Sequence, residues 1–154
     1  MRIRIAPIPH PFLDRARTEN VDALGQPVRR LTASGGEPCR DALRRAQPGE
    51  ELILASFSPF TEIGPYHEFG PVFILANADD DASPRDALPL ESGYLRERFV
   101  IRAYSAAEEI LDAAMVTPDD ANETMERFLG RDDVAFLHAR FPVYGCFACR
   151  IDRA

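Results

Sequence analysis

The chain has 154 residues, 45% hydrophobic and 28% charged, with a net charge of −7, a profile that fits one folded domain without disulfide or metal staples and excludes a disordered chain. All 18 basic residues are arginine, which excludes Schiff-base and lysine-nucleophile chemistry and leaves guanidinium forks and protonated histidine to hold any anion. The acidic balance argues against nucleic-acid and acidic-membrane partners, which need a basic surface.

The N-terminal MRIRIAPIPHPF is broken by prolines and does not read as a signal peptide. No apolar run approaches the ~20 residues needed to cross a bilayer. A cytoplasmic location is therefore expected. Met1 to Ala6 alternates as a short strand that ends at Pro7. A short helix fits Phe12 to Leu24, and Val28 to Ala33 reads as a weak strand before the break at Ser34-Gly35-Gly36. Pro38 to Ala46 predicts a short helix with Pro38 in its first turn, stopped by Pro48-Gly49. Glu51 to Phe57 (ELILASF) and Pro71 to Ala76 (PVFILA) are near-continuous apolar runs, as in central strands covered on both faces. Between them, SPFTEIGPYHEFG is too long for a tight hairpin and too apolar for solvent-facing filler. The acidic stretch within 78–93 reads as an exposed, mobile loop.

Arg98 to Tyr104 (RFVIRAY) resumes as a strand, and the Ser105–Glu108 spacing of a capping box predicts a helical turn after it. The following ILDAAMV fits helix or strand equally. Thr117-Pro118-Asp119-Asp120 opens a helix with Thr117 as N-cap and the aspartates at the positive end of the dipole. Ala121, Met125, Phe128 and Leu129 fall on one face of it, and Gly130 stops it. Val134 to Arg140 and Cys146 to Asp152 form an antiparallel pair joined by FPVYG. The sum is an α+β single domain, a mainly antiparallel sheet with a few helices packed on it.

The segments GEPCRDALRRAQPGEELIL, GPYHEFGPVFILA, RFVIRAYS and VAFLHARFPVYGCFACRIDR give the chain, from about Gly36 to Arg153, a resemblance to DUF1203, a bacterial family of unknown function. The family's pattern falls on Pro38, Cys39 and Arg40; on Gly49 and Glu50; and on Gly64, Pro65, Tyr66, Glu68, Gly70, Pro71 and Phe73. It continues through Arg102 and Tyr104 to His138, Arg140, Gly145 and Cys146. The chain departs from the pattern at Leu75, where relatives often carry histidine, and at Asp41-Ala42, where His-Cys or a related pair is common. Phe141 stands where an asparagine commonly follows the last arginine. The resemblance supplies a pattern of residues and no mechanism.

No nucleophile elbow, phosphate-cradling loop or dinucleotide fingerprint is present, so no cofactor is expected and no catalytic residue is named. Cys146 and Cys149 have CxxC spacing, but on a strand residues three apart face opposite ways, which favours buried structural thiols. His10, His67 and His138 form no ligand-spaced cluster, and no metal is expected. Arginine inside apolar segments is more informative, because it needs a carboxylate partner or an anionic ligand. The candidate ligand-binding set is Arg40, Tyr66, Glu68, Arg102, Tyr104, His138 and Arg140, with Cys39, His67 and Cys146 as further candidates. His138 and Arg140 alternate onto one strand face, so a small anion or carboxylate could meet both. Two competing readings stay open. Glu50, Glu68 or Asp152 could neutralise these arginines internally, or the chain could be an interaction module or homodimer that uses its sheet edge or Phe60 and Phe69 of the 58–70 loop.

Overall fold

A computed structural model describes residues 1–78 and 81–154. The chain forms an α+β fold in which most residues of regular structure lie in two five-stranded sheets. In chain order the elements are β1 (Ile3–Ala6), α1 (His10–Asp14), β2 (Arg29–Thr32), β3 (Pro38–Cys39), β4 (Arg44–Arg45), β5 (Glu51–Phe57) and β6 (Gly70–Leu75). Then come β7 (Phe99–Tyr104), β8 (Ile110–Val116), α2 (Ala121–Leu129), β9 (Phe136–Arg140) and β10 (Phe147–Arg153). Sheet one has the order β1-β10-β9-β7-β8 and is antiparallel throughout. Sheet two has the order β2-β5-β6-β3-β4, with one parallel contact, Cys39 beside Phe73.

Strand alternation sorts each sheet into two faces. On sheet one, Phe99, Ile101, Ala103, Leu137, Ala139, Cys149 and Ile151 bury one face with Ala121, Met125, Phe128 and Leu129 of α2. The expected apolar stripe of α2 is the one that packs, and Gly130 closes the helix by donating to the Glu126 carbonyl at 2.8 Å. On sheet two, Ile53, Ala55, Phe57, Val72 and Ile74 pack under Ile8, Leu13 and Ala16. Here α1 runs directly into a π-helical turn, Arg15–Glu19, that ends at Asn20 with φ 58°.

Several local expectations are corrected by non-local pairing. Pro38 to Ala46 is not a helix: Cys39 joins the edge of β6, the Arg40 amide donates to the Phe73 carbonyl at 3.0 Å, and the chain turns back through Leu43 at φ 51°. The Ser105–Glu108 turn is not helical either. Ser105 exchanges backbone hydrogen bonds with Glu108 and Glu109 as a hairpin turn, and ILDAAMV is β8. Thr117 is not the N-cap of α2. Its amide and hydroxyl donate to the Asp120 carboxylate at 2.6 and 3.1 Å, and Asp120 is the capping position.

The acidic stretch includes residues 79 and 80, which lie outside the described residues, but the part that follows is tethered rather than free. Ala82 donates to the Asp41 carbonyl at 2.7 Å, Arg85 bridges to Ile5, and Leu88 is buried. β5 and β6 are covered on one face by α1. On the other, Leu54 and Phe73 are half-buried and border a cleft.

Candidate functional site

β7 and β9 lie side by side with Arg102 opposite His138, Tyr104 opposite Phe136 and Val100 opposite Arg140. Alternation therefore places Arg102, Tyr104, His138 and Arg140 together on the face of sheet one turned away from α2. The 58–69 loop lies over this face. Phe60 is buried there, with its ring 5.4 Å from Tyr104 and 5.3 Å from His138.

His138 is fully buried in an aromatic box, its ring 4.6 Å from Tyr104, 5.0 Å from Phe147 and 5.2 Å from Phe136. Among the described residues neither ring nitrogen has a hydrogen-bond partner, and neither the Tyr104 hydroxyl nor Arg140 Nε has one. Burial, and then the positive charges of Arg140, Arg150 and Arg102, push the His138 pKa well below its usual 6.5. The ring is neutral at neutral pH, with one nitrogen a donor and the other an acceptor.

Arg140 is held from two sides. Its Nη1 donates to the Gly145 carbonyl at 3.1 Å, across a turn that Gly145 closes at φ 73°, a conformation suited to glycine. Its Nη2 forms an ion pair with Glu68 Oε1 from the loop, yet that nitrogen makes no hydrogen bond of acceptable geometry. A recess of about 200 Å³ opens here between the loop and the β9–β10 turn, lined by Glu68, Phe69, Arg140, Tyr144, Cys146 and Phe147, among others.

The remaining candidates are dispersed. Arg102 is half-buried beside His138 and makes no ion pair or hydrogen bond among the described residues. Arg40 is buried on the far side of β10, donating to the carbonyls of Phe147 and Pro38 at 2.9 and 2.7 Å. Tyr66 is exposed and borders a different recess, with His67 and residues 106–109. His67 holds the loop in shape: its Nδ1 lies 2.8 Å from the Glu62 carbonyl and its Nε2 lies 3.3 Å from the Ser58 hydroxyl. Burial pushes the Cys39 thiol up to about 12, so it carries no thiolate. Cys146 is half-buried at the recess, and Cys149 is buried in the core.

Internal neutralisation accounts for one arginine of the set. Glu68 pairs with Arg140, but Glu50 pairs with Arg44 at 2.8 Å and Asp152 with Arg150 at 2.9 Å, leaving Arg40 and Arg102 without a carboxylate among the described residues. Sequence reasoning missed Phe136 and Phe147, which enclose His138 from neighbouring strand positions that carry no distinguishing pattern. It also missed Glu108, which anchors the loop by accepting from the Thr61 and Glu62 amides at 3.0 and 2.8 Å. Among the described residues no group of three or more His, Cys, Asp and Glu is arranged to hold a metal, and no helix is long and apolar enough to cross a membrane.

Fold and site together define a two-sheet α+β protein with a buried Tyr–His–Arg cluster under a long loop. The family model "Protein of unknown function (DUF1203)" matches residues 36–153, and the chain belongs to that family. No curated protein and no solved structure matches the chain.

Proposed function

We propose that the Tyr104–His138–Arg140 cluster binds a small carboxylate or other small anion, with the 58–69 loop as its cover. The observation that carries this reading is the set of buried polar atoms without hydrogen-bond partners, on Tyr104, His138 and Arg140, gathered on one face of adjacent strands. Buried polar groups are nearly always paired, because an unpaired one costs about 1–3 kcal/mol. Glu68 already places a carboxylate against Arg140 Nη2, though poorly aligned. A ligand carboxylate that replaced it would accept from Nε and Nη2 together, the bidentate geometry that guanidinium favours. Tyr104 and the neutral His138 add further donors. The three free cysteines fit a reducing compartment such as a bacterial cytoplasm, and the net charge of −7 favours a small-molecule partner over nucleic acid.

The test is thermal melting against formate, acetate, malonate, citrate and inorganic phosphate. A ligand at a hundred times its dissociation constant adds about 2.7 kcal/mol, a rise in Tm of roughly 5–10 °C for a chain of this size. A rise that disappears in Arg140→Met supports the site. A flat response across the panel rejects it.

A second reading rests on exposed apolar side chains around the same recess. Phe69 is 45% exposed and Tyr144 88% exposed, and both line it. If this surface joins two copies of the chain, Phe69→Asp abolishes the dimer seen by ultracentrifugation. Phe60 plays no part in that surface, because it is buried against Tyr104 and His138.

A further inference from the structure

We propose a second binding site, for an organic anion with a flat apolar body, in the cleft on the face of β5 and β6 opposite α1. It uses none of Tyr104, His138 or Arg140. With Ile53, Ala55, Val72 and Ile74 turned under α1, alternation turns Leu54 and Phe73 the other way, where they line a cleft of about 720 Å³. That volume is typical of small-molecule sites.

Four arginines converge on this cleft in a protein of net charge −7. Arg40 is buried, Arg45 half-buried, and Arg96 and Arg98 are exposed. Among the described residues none is paired with a carboxylate. Arg40 donates to the Phe147 and Pro38 carbonyls, and its Nη2 donates to none of the described residues. Arg45 donates to the carbonyls of Gly93, Gly36 and Tyr94 at 3.2, 2.7 and 2.9 Å. Carbonyls satisfy the N–H groups but leave the positive charge uncompensated. The acid in the lining, Glu37, is taken by the Ser34 and Gly35 amides at 2.8 Å each; burial pushes its carboxyl up, and those bonds outweigh burial to hold it below its usual range. Burial, followed by repulsion from Arg96, lowers the Arg45 pKa, as expected for unshielded like charges.

The cleft also carries accessible aromatic surface, on half-buried Phe73 and exposed Tyr144. The buried Phe141 ring lies 5.1 Å from the Arg40 guanidinium and 5.5 Å from that of Arg45 and supports both. Arg96 sits at φ 58°, a conformation arginine rarely adopts, and such strain concentrates at ligand sites. Gly36, at φ 90°, lies beside the Arg96 guanidinium, and a Cβ there would make ordinary van der Waals contact with Nη2 at 3.5 Å. An anionic head among the arginines and an aromatic body against Phe73 and Tyr144 would satisfy charge and surface together.

Anilinonaphthalene sulfonate, an aromatic anion, serves as the probe, with fluorescence followed at low salt on the intact chain. Saturable binding is expected, weakened about tenfold or more in the Arg96→Ala/Arg98→Ala double variant as charge-assisted contacts are lost. Both residues are exposed, so the fold is not at stake. Arg127→Ala, an exposed arginine on α2 and away from the cleft, should change the dissociation constant less than about twofold. Displacement by naphthoate identifies a carboxylate head and displacement by naphthyl phosphate a phosphate head, and either supports the site. Displacement by neither, an unchanged constant in the double variant, or an equal loss in Arg127→Ala overturns it. Arg140→Met melting behaviour reads the other site separately.

Discussion

His138 shows how burial without a partner becomes a measurable property. Its ring is boxed by aromatic rings, its nitrogens meet no partner among the described residues, and the charges that act on it, those of Arg140, Arg150 and Arg102, are positive. Below about pH 6.5 the unfolded chain takes up a proton on His138 that the folded protein refuses, so acidification removes stability. The loss runs at up to about 1.4 kcal/mol per pH unit, down to the depressed folded pKa. Urea unfolding of the wild type and His138→Phe, compared at about pH 7 and about pH 5.5, should show a smaller acid loss in the variant. Phenylalanine fits the apolar box and removes the unpaired nitrogens, so the variant should not be less stable at the higher pH. Equal losses in both proteins would mean that His138 finds a partner on folding.

At the scale of elements, the loop over the site is fixed by a residue whose role depends on distant chain. The Glu108 carboxylate accepts from the Thr61 amide and hydroxyl at 3.0 Å and from the Glu62 amide at 2.8 Å. Glu108→Ala should speed hydrogen exchange at those amides about tenfold or more while amides between β7 and β9 keep their protection. Unchanged exchange would show that the His67 contacts alone secure the loop. The Ser105–Glu108 spacing pointed only to a capping box and a helical turn, because the partners of the Glu108 carboxylate lie 46 and 47 positions away. Local pattern served well where local forces dominate. β5 and β6 were legible as continuous apolar runs, and α2 was legible from its stripe and its closing glycine. It failed at β3 and β4, two-residue strands that exist because Cys39 finds the edge of β6.

Across the whole molecule, two sheets must be held in one arrangement for the site to exist. Arg40 crosses between them to the Phe147 carbonyl, and the Phe147 ring lies 5.6 Å from Phe57. A different clasp, within sheet two and the segment after it, is Arg17 on the π-helical turn, which binds Asp41 at 2.8 Å, Asp81 at 2.7 Å and the Leu75 carbonyl at 3.0 Å. Burial pushes the Asp41 carboxyl above its usual range, while the Arg17 hydrogen bond holds Asp81 below it. Arg17→Met strands a carboxylate that is 1% exposed, and should cost about 3–5 kcal/mol, or roughly 10 °C in Tm. A change of less than about 1 kcal/mol would show that the clasp is not structural. Of the site itself, strand alternation made His138 and Arg140 legible as neighbours. The separation of Arg40 and Tyr66 from them was not legible, because it depends on how the sheets and the loop pack.

The ring nitrogens of His138 test the proposed site most directly. In protein labelled with nitrogen-15 and titrated with whichever of the panel anions raises Tm most, both imidazole resonances should move saturably. They should stay fixed in Arg140→Met. Resonances that remain unmoved in the wild type at a saturating concentration would contradict the Tyr104–His138–Arg140 site, and would leave those buried atoms unpaired for a reason other than a ligand.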